Sequence, residues 1–164
     1  MSNLITALHV PADVTRQIEK RQVDNQDIDA YQAAVGGHLE AVQLEQPSAT
    51  LYANEEGKLL EMPVNERATA LMWLHNRRLR NQDVLCGDAL LVGPPDPHGD
   101  DLSAPEHYVD LVEAAILVIE AQFDSESGWQ RSNGTFSDWF QAYRYALGAT
   151  IRWPMIREVR VIRP

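Results

Sequence analysis

The stretch GPPDPHGDD at residues 93–101 limits the fold more than any other part of the chain. Its prolines remove backbone donors and its glycines loosen the chain, so neither a helix nor a central strand runs through it. It reads as a linker or long surface loop. The 164 residues then divide into an N-terminal α+β domain at 1–95, a loop at 96–102, and a C-terminal α+β subdomain at 103–164. Apolar residues make up 45% of the chain and charged residues 23%, enough for a core on either side of the break.

Short elements fill both parts. LITALHV (4–10) reads as a strand ended by Pro11, and VTRQIEKRQV (14–23) alternates imperfectly, as an edge strand reached through a hairpin turn at Pro11-Ala12-Asp13. Asp24 or Asn25 is placed to cap a short helix over 26–35, which Gly36 stops. HLEAVQL (38–44) and ATLYAN (49–54) read as paired strands, and a second helix begins near Pro63, Val64 or Asn65. DVLCGDALLVG (83–93) reads as a strand with Gly87 as a bend or bulge. Beyond the break, Ser103 and Glu106 have the spacing of a capping box. AILVIEAQFD (115–124) follows, then the strongest helix pattern, over 136–153, capped by Thr135 or Ser137. A terminal strand is expected at 157–164. The expected fold is α+β, with small mixed or antiparallel sheets packed against short helices.

The charge is unevenly distributed. Between Asn81 and Gln130 there is no lysine or arginine but eleven acidic residues, whereas the rest of the chain is nearly balanced within a net charge of −10. Such a segment has the wrong sign for a nucleic-acid contact face and suits a basic protein partner. The interaction candidates are therefore Asp96, Asp100, Asp101, Glu106, Asp110 and the aromatic Trp129. Trp139, Phe140, Tyr143 and Tyr145 read as core packing rather than base-stacking residues. Arg144, Arg152 and Arg157 leave a small local exception.

Recognised catalytic and cofactor patterns are absent. Gly36-Gly37 lies between a helix and a strand and is followed by His38-Leu39, so it fits neither a phosphate loop nor a dinucleotide fingerprint and reads as a turn. The five histidines form no HExxH motif, and Cys86 stands alone, so no metal or other cofactor is expected. The same single cysteine points to a reducing cytoplasm, and the first residues do not have the pattern of a secretion signal. NEEGKL (54–59) is the best polar loop. Asn54, Glu55, Glu56 and Lys58, with Asn65 and Asp88, are the candidates for a polar rim.

At YQAAVGGHLEAVQL (31–44), YANEEGKLLEMPVNERATAL (52–71) and VLCGDALLVG (84–93) the sequence resembles a family of short bacterial, plasmid and phage proteins classed as domains of unknown function. The resemblance covers mainly residues 28–93. It implies a shared fold and an association with mobile elements, and it brings no catalytic residues with it.

Taken with the charge pattern, this suggests a nonenzymatic interaction or regulatory protein that binds the basic surface of a host protein. The alternative is a small enzyme or ligand-binding protein with a pocket between the two halves. Direct nucleic-acid binding and membrane association are not expected.

Overall fold

The protein is described from a computed structural model, over residues 3–164. The fold is α+β, with two antiparallel sheets and four short helices. The chain forms two compact units, one running to Val109 and the other from Asp110 to Pro164. Residues 96–102 lie in the first unit, where Gly93 N–H donates to the Leu102 carbonyl, Leu102 N–H to the Pro94 carbonyl and Ala104 N–H to the Thr6 carbonyl.

In the first unit, β1 (Leu4–Val10), β2 (Glu19–Asp24), β3 (Leu39–Glu45), β4 (Ser48–Asn54) and β5 (Ala89–Val92) form one sheet in the order β2-β1-β5-β4-β3. The imperfect alternation of β2 reflects its place at the edge. The connection before it is longer than a three-residue turn, spanning residues 11–18. Strand register aligns Leu8, Leu91, Leu51 and Val42 in one row across the sheet, all buried. Burying such a row contributes roughly 2 kcal/mol per side chain before chain entropy is counted. On the opposite face, Ile5, Ala7, Leu90 and Val92 pack with Tyr31 and Val35 of α1 (Ile28–Val35). With both faces covered, β5 is buried at every position.

Helix ends follow local chemistry, though not always at the expected residue. Asp27, rather than Asp24 or Asn25, caps α1 by accepting from Ala30 N–H, and Gly36 ends it at φ 79°, where a side chain would be strained. Asn65 caps α2 (Glu66–His75). Ser103 does not form a capping box with Glu106: its hydroxyl accepts from Thr6 N–H at 3.0 Å, which leaves it committed to β1. α3 (Glu106–Glu113) straddles the division between the units.

The second unit contains β6 (Val118–Gln122), β7 (Gln130–Arg131), α4 (Trp139–Arg152) and β8 (Glu158–Ile162), with sheet order β7-β6-β8. Asp138, rather than Thr135 or Ser137, caps α4 by accepting from Phe140 and Gln141 N–H. Trp139, Ala142, Tyr143, Ala146 and Ala149 form its buried stripe. Among the described residues no helix is long and apolar enough to cross a membrane.

Candidate functional site

The loop after β4 brings amide, carboxylate, ammonium and thiol side chains to one cleft. Asn54 is buried, and its side chain works in two directions. The amide donates to the Val35 carbonyl at 3.3 Å, at the end of α1, and the oxygen accepts from Glu56 N–H at 2.8 Å. Glu55 N–H donates to the His38 carbonyl, which pins the loop beside β3. Gly57 brings the loop against the chain at Cys86: a Cβ there would stand 2.7 Å from the Cys86 carbonyl oxygen. Lys58 then reaches Asp83, donating to its carboxylate. This pairing holds the Asp83 carboxyl below its ordinary range and the Lys58 ammonium above its own.

Together these contacts shape a cleft of about 190 Å³ lined by Glu40, Asn54, Glu55, Lys58, Asp83 and Cys86 among others. Three carboxylates therefore face a lining with one ammonium, which is itself paired. Directly after Lys58 the chain exposes Leu59 at 84% and Leu60 at 56%. Glu56 is exposed on the same loop.

The other two polar-rim candidates lie elsewhere. Asn65 is fully buried, with its amide donating to the Val10 and Gly87 carbonyls at 2.8 and 3.0 Å. Asp88 accepts from Ala12 N–H at 2.9 Å and stands 3.3 Å from His9 Nε2. Burial pushes His9 below the usual imidazole range. Sequence reasoning missed Glu40, Asp83 and the two leucines as cleft neighbours. Glu40 lies two residues before buried Val42 and so on the same face of β3, which gave alternation no means of finding it. Asp83 carried no signal either, because its partner lies 25 residues away.

The acidic candidates are distributed over both units and most are engaged locally. Asp96 accepts from His98 and Asp100 N–H, forming a turn. Asp100 accepts from the Gln26 amide at 2.7 Å. Asp101 is buried and accepts from the Tyr52 hydroxyl at 2.9 Å. Burial raises its carboxyl above the ordinary value, while hydrogen bonding to tyrosine opposes the shift. Glu106 is exposed in the first turn of α3. In the second unit Asp110 stands 3.6 Å from Arg163, and Trp129 lies under the Arg160 guanidinium, 4.0 Å from its ring centre. Among the described residues no group of three or more His, Cys, Asp or Glu side chains is placed to hold a metal ion.

Glu120 has the firmest acidic role. It is buried on β6 and accepts from Arg160 at 2.9 and 2.6 Å and from Arg131 at 3.2 Å. The bonds to Arg160 and Arg131 hold its carboxyl below the usual range. Both arginines are about half exposed and can rehydrate, so Glu120→Ala is expected to cost about 1–2 kcal/mol in urea unfolding. The contribution is present at neutral pH and fades as pH falls below the ordinary carboxylate value toward the lower folded one.

Family comparison extends the region of resemblance beyond residues 28–93. The chain belongs to the family described as a domain of unknown function (DUF3846), whose model matches residues 5–116. This is a family of uncharacterised bacterial, plasmid and phage proteins. The match takes in all five strands of the first sheet and the cleft. No curated protein and no solved structure matches the chain.

Proposed function

We propose that this protein is a nonenzymatic interaction protein of bacterial mobile elements. It docks an arginine- or lysine-bearing surface of a host protein at the 54–60 loop. The observation that carries the reading is the juxtaposition of Leu59 and Leu60, both largely exposed, with a cleft faced by Glu40, Glu55 and Asp83. Exposed apolar side chains beside unbalanced charge suit a partner that brings a cation into the cleft and buries the leucines around it. The turn at Asp96 and Asp100 supplies further negative charge to the same unit.

The test is titration of the full chain with an arginine-bearing apolar peptide, followed by amide chemical shifts. Shifts are expected at residues 54–60, with affinity falling as salt rises. Glu40→Gln/Glu55→Gln is expected to weaken binding about tenfold, and Leu59→Ser by a similar factor. Asp96→Asn/Asp100→Asn should have a smaller effect. Shifts confined to other surfaces, or affinity unchanged by the cleft substitutions, would sink the reading.

A second reading has its own observation: Cys86 borders the same cleft as Lys58, which suits a small-molecule site. Under it, a small cationic ligand would bind with Glu40 and Glu55 in place and ignore Leu59→Ser. Loss of peptide binding in Leu59→Ser separates the two.

A further inference from the structure

We infer that the outer face of α4 binds single-stranded nucleic acid. This site lies in the second unit and does not depend on the docking proposed for the first.

The face is built around Gly148. A glycine inside a helix costs about 1 kcal/mol relative to alanine, and packing does not account for this one: a Cβ added there would meet nothing within 4 Å. The positions three and four residues away on either side are Arg144, Tyr145, Ile151 and Arg152, which border the glycine on the helix surface. The result is an open position on the helix surface, with Arg144 one turn before it and Arg152 one turn after. Both guanidiniums are ordered over rings. Arg144 lies over Phe140 at 5.7 Å, while Arg152 lies over Tyr145 at 5.2 Å and over Trp153 at 5.1 Å. Tyr145 and Trp153 are each 45% exposed.

The helix itself has the required sign of charge. α4 contains no acidic residue. Of the six arginines in residues 131–164, Arg131 and Arg160 pair with Glu120 and Arg163 with Asp110, while Arg144 and Arg152 on α4 are held over rings. Ordered arginines and exposed rings around an open position are what unpaired bases stack on, with phosphates meeting the guanidinium edges. An acidic peptide would use the arginines alone and has no need of the ring platforms or the open glycine position.

Fluorescence anisotropy of a short labelled single-stranded oligonucleotide with the full chain tests this. Saturable binding at low salt is expected, weakening steeply as salt rises. Arg144→Gln/Arg152→Gln should weaken it about tenfold. Gly148→Leu should weaken it by a similar factor while raising the melting temperature, because leucine is the better helix former. A purely structural role for Gly148 would move stability and binding together. Arg77→Gln, in the first unit, should leave binding unchanged. No binding at low salt, or binding indifferent to the α4 substitutions, overturns the proposal. So does capture of a polyglutamate peptide or an anionic vesicle through the same residues where the oligonucleotide is not bound.

Discussion

Asn65→Ala is expected to lower the unfolding free energy by about 3–4 kcal/mol. Asn65 is 0% exposed, and all of its polar groups are in use. Its amide donates to the carbonyls of Val10 and Gly87, which joins the end of β1 to the turn before β5. Its side-chain oxygen accepts from Ala68 N–H at 3.0 Å and caps α2. Its backbone N–H donates to the Leu85 carbonyl at 2.7 Å. Truncation removes three bonds and leaves their partners with no side-chain replacement, in a place that water does not reach. Asn65→Asp keeps the shape and the cap but offers an anion to two carbonyl oxygens. The buried acid would hold a proton in the folded state, its pKa raised. The variant should therefore be most stable below the ordinary carboxylate pKa and lose stability as pH rises through the folded one. Urea midpoints across pH measure both effects. An Asn65→Ala midpoint within error of the parent would show that the three-way connection contributes nothing.

Mild acid should destabilise the protein well before its carboxylates titrate. His75 is packed edge-on against Tyr108 at 4.9 Å and His107 at 5.8 Å. Burial pushes its pKa down to about 3, and His107 and Arg80 add to the shift. The Gln46 carbonyl, 3.2 Å from Nδ1, acts in the opposite sense but does not overcome burial. A histidine depressed below 6.5 in the folded state takes up its proton more readily when unfolded. Stability is therefore lost as pH falls below about 6.5, at up to ~1.4 kcal/mol per pH unit. His9 shifts in the same direction and adds to the slope. Between pH 7 and pH 5 the combined loss is expected to reach about 2 kcal/mol. His75→Gln keeps a polar side chain without a titrating ring, and it should flatten the urea midpoint against pH. Parallel curves for the two proteins would remove His75 as the cause.

Elements were legible where chemistry is local. Alternation in Leu39–Glu45 reflects one buried face, and the apolar spacing of Trp139–Arg152 reflects one buried stripe. The apolar run at 83–93 overstated β5, because Gly87 takes φ 84° and Asp88 turns aside to the Ala12 N–H. The cap of α1 was misplaced by a few residues for a similar reason. Asp24 accepts from Gln26 N–H in its own turn, and Asn25 reaches across to the Asp101 carbonyl, leaving Asp27 at the helix. Side-chain roles were less legible still. Composition marks residues 81–130 as acidic, but what each acid does depends on Tyr52, Lys58, Arg131 or Arg160 arriving from elsewhere in the chain. Glu55 and Lys58 could be chosen from their loop, whereas their convergence with Glu40 and Asp83 on one cleft could not.

The strand order of the first sheet bears on how the protein can be made. β1 with β2 and β3 with β4 are hairpins between neighbours in the chain, and each can pair as soon as its own residues leave the ribosome. No strand joins them until β5 is synthesised and inserts between β1 and β4. Until Ala89–Val92 emerges, the nascent chain carries two hairpins with open inner edges, the state in which strands pair wrongly or with other chains. Four residues, the shortest strand of the sheet, set the moment at which the first unit can close.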